Sequence, residues 1–209
     1  MTAGEEKYLS TWEFATRKLG LERSASKKEM SVRQAEIFDK LLPALCKTLC
    51  ANLQEYLLSS HAWKVVLEFL VLVSTDEKFE KQFDDLVTAL EQLVTGQEIG
   101  EENQSVLAHG TGHRVFKNIV FAVSRSSQES IDKILSWLIP FLVDNLNCLI
   151  VSKASWVIAA ILEHTNNASP LHSRLIKTVQ SFLKKNKTAG SNPGLRNLSQ
   201  IALGTKKEY

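Results

Sequence analysis

Gly112-His113-Arg114-Val115-Phe116-Lys117-Asn118-Ile119-Val120 has two echoes along the chain, and the three read together decide the fold. The echoes are Ala62-Trp63-Lys64-Val65-Val66-Leu67-Glu68-Phe69-Leu70 and Ala154-Ser155-Trp156-Val157-Ile158-Ala159-Ala160-Ile161-Leu162. Each runs small, any, bulky or basic, Val, apolar, any, any, apolar, apolar. A small first residue lets a helix start close to its neighbour. The Val and the later apolar pair share one face at helical spacing. Recurrence at intervals of 50 and 42 residues is the sequence signature of helical hairpins that bury their faces by stacking. The expected fold is all-α, a curved α-solenoid of stacked helical hairpins or three-helix repeats of the HEAT, armadillo or PUF kind.

Outward from these segments the periodicity holds. Tyr8, Leu9, Trp12, Phe14, Ala15 and Leu19 predict an amphipathic helix ending near Gly20. Ile37, Leu41, Leu45, Leu49, Leu53 and Leu57 recur every four residues between Ser31 and Leu58, with Pro43 predicted to kink this region or start a new helix. Thr75-Asp76 reads as a cap for a helix ending at Gly96, and Gln104–His109 as a short helix. Ser126 or Ser127 opens a helix containing Pro140, and Ser169-Pro170 opens another that ends at the basic Lys184-Lys185. No stretch alternates at period two for long enough to require a strand. The expected domains are an N-terminal helix and linker over 1–28, a helical-repeat domain over 29–203 and a flexible tail over 204–209.

Composition narrows the function classes. With 44% hydrophobic and 23% charged residues in 209, the chain can bury a sizeable core. A net charge of +2 neither supplies nor forbids a basic face for nucleic acid. The N-terminus has no apolar core of a secretory signal, and the longest apolar stretches are too short or interrupted to span a bilayer. An intracellular protein, cytoplasmic or nuclear, with no membrane partner is the expectation. Cys46 and Cys50 lie one helical turn apart, and with Cys148 they read as small buried residues in a reducing compartment.

The third segment, with the following Ile161-Leu162-Glu163-His164, resembles the Gly-Asn-Tyr-Val-Val-Gln-like run of the PUF (Pumilio-type) family, and the other two segments are similar but looser. The resemblance implies RNA-facing positions at Trp63, Lys64 and Leu67, at His113, Arg114 and Lys117, and at Ser155, Trp156 and Ala159. Arg114 and Trp156 would stack on bases, and His113, Lys117 and Ser155 would hydrogen-bond. It also implies a place in RNA processing or ribosome biogenesis, in the nucleolus. The same pattern serves any tightly packed helix of a repeat array.

Catalysis finds no support in the sequence. His109-Gly110-Thr111-Gly112-His113 has two histidines, an incomplete metal site, and lacks the strand and Lys-Ser/Thr of a phosphate loop. No nucleophile motif or converging carboxylate pair appears. The expectation is a non-catalytic binding protein with no cofactor, metal or small-molecule substrate. Its concave face would present Lys64, His113, Arg114, Lys117, Ser155 and Trp156 to another protein in the first reading and to RNA in the competing one.

Overall fold

In the computed structural model, which describes residues 30–97, 105–165, 169–186 and 192–204, the first helix continues past Pro43. This helix, α1, covers Met30–Ala51. The predicted N-terminal helix at 8–19 and the tail beyond Gly204 lie outside the described residues. A proline inside a helix loses one backbone bond and crowds the carbonyl four residues back. The helix nevertheless continues, because Cys46 and Leu49 in the following turns are both buried. The break falls instead at Asn52, whose φ of −121° and ψ of 23° leave the helical region.

The chain divides into two units, Met1–Leu42 and Pro43–Tyr209. What is described of the first is the N-terminal part of α1. After α1 the second continues with α2 (Leu53–Leu58), α3 (Trp63–Ser74), a 3-10 turn (Glu77–Phe79), α4 (Glu80–Thr95) and α5 (Gly112–Ser126). Then come α6 (Gln128–Asp144), α7 (Leu146–Leu149), α8 (Ser155–His164), α9 (Pro170–Lys185) and α10 (Pro193–Ala202). The described residues contain no strand, so the protein is all-α.

The start signals are local chemistry. Ser59 Oγ accepts from the backbone N–H groups of His61 and Ala62, closing the turn before α3. Asp76 caps the 3-10 turn by accepting from Lys78 N at 3.0 Å, and Ser127 caps α6 by accepting from Ser130 N at 3.2 Å. At α10 the cap is Asn192, accepting from Gly194 N at 2.8 Å, with Pro193 in the first helical position. Pro140 is carried inside α6, as the sequence predicts. The helix predicted at 104–109 is a turn in its described part: Val106 N donates to the Gln97 side chain and Leu107 N to Ser105 Oγ.

The three recurring segments form the N-terminal turns of α3, α5 and α8, and these helices touch in succession, α3 on α5 and α5 on α8, with α10 next on α8. A second succession of contacts joins α4 to α6 and α6 to α9. Helix α8 is apolar nearly all round, with Val157 through Leu162 all buried, as a helix flanked by α5 and α10 requires. Its Ala159 and Ala160 leave room for both neighbours. Helix α6 buries Ile131, Ile134, Leu138 and Leu142 along one stripe, each worth about 1.5–3 kcal/mol of burial. In α3 the signature Val65 is 46% exposed, whereas its counterparts Val115 and Val157 are buried.

The cysteines divide. Cys46 is buried and its thiol donates to Gln82 O at 3.4 Å, with Cys50 Sγ 4.0 Å away. Burial, reinforced by Cys50 and Asp85, pushes the Cys46 pKa up to about 12, and burial raises that of Cys50 too. Cys148 is exposed, against the expectation that all three are buried. With a disulfide reagent at neutral pH, one thiol is expected to react fast, and Cys148→Ser to abolish that phase. Cys46 should react only on unfolding; a fast phase surviving in Cys148→Ser would contradict this arrangement.

Candidate functional site

Helix α5 presents Arg114, Lys117, Phe121 and Arg125 to solvent at i, i+3, i+7 and i+11, the spacing of one helical face. Its opposite side, Val115, Phe116, Ile119, Val120 and Val123, is buried. Across the contact with α8, Lys117 Nζ stands 5.6 Å from the centroid of the half-buried Trp156 ring. Arg125 stacks on Phe121 at 4.7 Å, and His164, at the end of α8, meets Phe121 edge-on at 5.0 Å. Lys153, exposed in the turn before α8, brings its Nζ close to Gly110 in the turn before α5. Among the described residues, none of Arg114, Lys117, Arg125 and Lys153 forms an ion pair.

The two neighbouring histidines register this charge. Burial comes first, then Arg114, Lys153 and Lys117, in lowering the pKa of His113, against the opposing pull of its hydrogen bond to His109 O at 2.9 Å. A carbonyl only accepts, so Nδ1 carries the proton. At His164, partial burial and then Lys117 and Arg125 have the same effect. Lys117 acts on both, so one positive field runs along the face of α5. By contrast Lys133, in α6, bonds Glu80 at 3.0 Å and Asp84 at 3.1 Å in α4, and its charge is spent locally.

The six residues predicted as a site separate into groups. Arg114 and Lys117 are exposed on one face of α5, and Lys117 reaches Trp156. Lys64 is exposed on α3, apart from these contacts. His113 is only 9% exposed with Nδ1 engaged, and Ser155 is wholly buried, its hydroxyl donating to Ser152 O at 2.8 Å. Ser155 offers no free hydrogen-bonding group to a partner, and His113 keeps only Nε2. Of the other positions implied by the resemblance, Trp63 is half-buried and donates to Ser60 O, Leu67 is half-buried and Ala159 is buried. Phe121 and Arg125 were overlooked although they continue the Arg114–Lys117 spacing. Lys153 and His164 carry no such periodic signal.

His109 accepts at Nδ1 from Thr111 N, so the two-histidine loop is held by its own backbone bonds. Among the described residues, no group of three or more His, Cys, Asp or Glu side chains could hold a metal ion. A cavity of about 420 Å³ lies elsewhere, lined by Ser74, Glu80, Ser127, Glu129 and Lys133, and a second of about 600 Å³ by Cys46, Cys50, Gln82 and Asp85. No described helix is long and apolar enough to cross a membrane.

These features define an all-helical protein with a basic, aromatic-studded face. The CPL (NUC119) domain model matches residues 10–130, more than half of the chain, and the chain belongs to that family. This corrects the PUF assignment, because the matching family is not a PUF repeat family. A small-x-x-Val-apolar run arises wherever helices pack closely, and so cannot single out one repeat family. The match takes in α1 to α5 and stops in the first turn of α6, so Lys153, Trp156 and His164 lie beyond it. No curated protein and no solved structure matches the chain.

Proposed function

We propose that this chain is a non-catalytic RNA-binding module whose helical hairpins stack as a curved α-solenoid, with the α5–α8 face as the docking surface. The stacking is supported by the two successions of contacts, α3–α5–α8–α10 and α4–α6–α9. The observation that carries the function is the placing of Lys117 over Trp156 among Arg114, Arg125 and Lys153, cations without ion pairs among the described residues. Uncompensated cations interleaved with aromatic rings suit a single strand: phosphates meet the charges and bases stack on Phe121 and Trp156. With Ser155 enclosed and His113 left with Nε2 alone, base-edge hydrogen bonds are few, so sequence preference is relaxed. The protein then works inside the cell, in cytoplasm or nucleus, and in the nucleolus if its RNA is ribosomal.

A second reading, a protein-interaction scaffold, draws on Val65 and Leu72, which are 46% and 41% exposed on α3. In that case the same cations would dock an acidic protein segment. Anisotropy of labelled single-stranded RNA against salt separates the two. With three to four phosphates neutralised, log K is expected to fall with log salt at a slope of roughly −2 to −3. A flat slope, together with a cellular partner that survives nuclease in a pull-down, would overturn the RNA reading.

A further inference from the structure

The cations of the α5–α8 face are strung along one helix, not spread over several. Helix α5 holds Arg114, Lys117 and Arg125, whereas α3 has Lys64 as its one Lys or Arg and α8 has neither. In the recurrence, Leu67, Val71 and Thr75 stand where α5 has Lys117, Phe121 and Arg125, and Glu68 is exposed beside them. Arg114 and Arg125 are about 16 Å apart along the axis of α5. Lys153, close to Gly110, extends the row beyond the head of the helix. The rings follow the same line. Lys117 reaches Trp156, and one turn further Phe121 meets His164, so α5 and α8 run in the same direction with both ring platforms on the seam between them. Trp156 and His164 lie about 12 Å apart along α8.

We infer that the RNA strand lies along the α5–α8 seam, parallel to the helix axes, and does not cross the helices one after another. The inference rests on the RNA-binding reading above and adds the path and footprint of the ligand. Phosphates repeat about 3.4 Å apart along a stacked strand and further apart in an extended one, so the row accommodates roughly three to five of them. Bases held at Trp156 and at Phe121 are then not neighbours, and at least one nucleotide bridges them. A strand crossing the helices would find Lys64 and Arg114 as its phosphate partners. It would also run over Val65, an exposed apolar side chain, and leave Arg125 idle at one side.

The test uses the full chain with hexauridylate labelled by a nitroxide at its 5′ or its 3′ end, and NMR reads the broadening of backbone amides. One label is expected to broaden residues 110–114 more than residues 124–128, and the other label to do the reverse. Labels that share one gradient along α5, or that fall one at the head of α3 and the other at α10, would overturn the path. Binding curves give a second readout. Arg125→Ala should weaken hexamer binding as much as Arg114→Ala does, about twofold to fivefold each, while Lys64→Ala changes it less than about twofold. Lys64→Ala costing more than Arg125→Ala, in variants that melt like the wild type, would overturn the path and leave RNA binding standing. A wild-type chain that binds neither the hexamer nor longer single strands would overturn the RNA reading, and the path with it.

Discussion

Gly112→Ala is expected to destabilise the protein by about 2–3 kcal/mol and to lower its melting temperature by roughly 5–10 °C. A Cβ at this position would run into the carbonyl oxygen of Val106, with Val106 C and Cγ1 both at 3.0 Å. Val106 is itself buried, and its N–H is fixed by the Gln97 side chain at 2.8 Å, so this backbone has little room to withdraw. The collision occurs where α5 begins, and α5 touches α3, α6 and α8. Moving its first turn therefore disturbs the packing of several helices together. Helix propensity favours Ala over Gly by at most about 1 kcal/mol, too little to offset the clash. Gly110→Ala is the internal control. Its Cβ would meet Lys153 Nζ at 3.3 Å, the free end of a flexible side chain, and little change in melting temperature is expected. Thermal melts followed by circular dichroism decide it: equal midpoints for the two variants would refute the packing assigned to Gly112.

Gly112 also shows how far the sequence could be read. A small residue at the head of each recurring segment was legible as a close approach between helices, and it marks the start of α5, with α3 and α8 starting just after theirs. Such a signal is local: it depends on residues within one or two turns. The side of the helix on which a polar group ends depends on neighbours far away in sequence. Ser155 and His113 carry polar groups like those of exposed residues, yet α8 lies between α5 and α10, and Ser155 is sealed in. Gly194 of α10 comes so near that an added Cβ would strike Ser155 Oγ and lie 2.8 Å from Trp156 Nε1, a contact invisible across 39 residues. Lys153 joins the basic face through a turn, where no periodicity guides the eye. Phe121 and Arg125 were within reach of the helical period, which simply continues from Arg114 and Lys117.

Removing three charges from that face, with Arg114→Ala, Lys117→Ala and Arg125→Ala together, is expected to weaken RNA binding about tenfold or more at moderate salt, similarly for all sequences. The salt slope should shrink by about two, since each phosphate contact on a single strand contributes roughly 0.7. Trp156→Ala predicts a different signature. Losing a stacking platform costs roughly 1–3 kcal/mol of binding and leaves the slope nearly unchanged. The contrast separates charge from stacking in one titration series. Lys177, Lys184 and Lys185, exposed on α9, provide the comparison: replacing all three removes equal formal charge and should spare binding. His164 gives an independent readout, because Lys117 and Arg125 both help to hold its pKa down. Its titration, followed by NMR, should move upward in the triple variant without RNA, and upward in the wild-type protein when phosphate oxygens draw near. Lys117→Ala also gives up the contact with Trp156, worth about 0.5–1 kcal/mol at an exposed site, so melting temperatures accompany the binding curves. A triple variant that melts like the wild type and keeps both its affinity and its slope would remove the α5–α8 face from RNA binding.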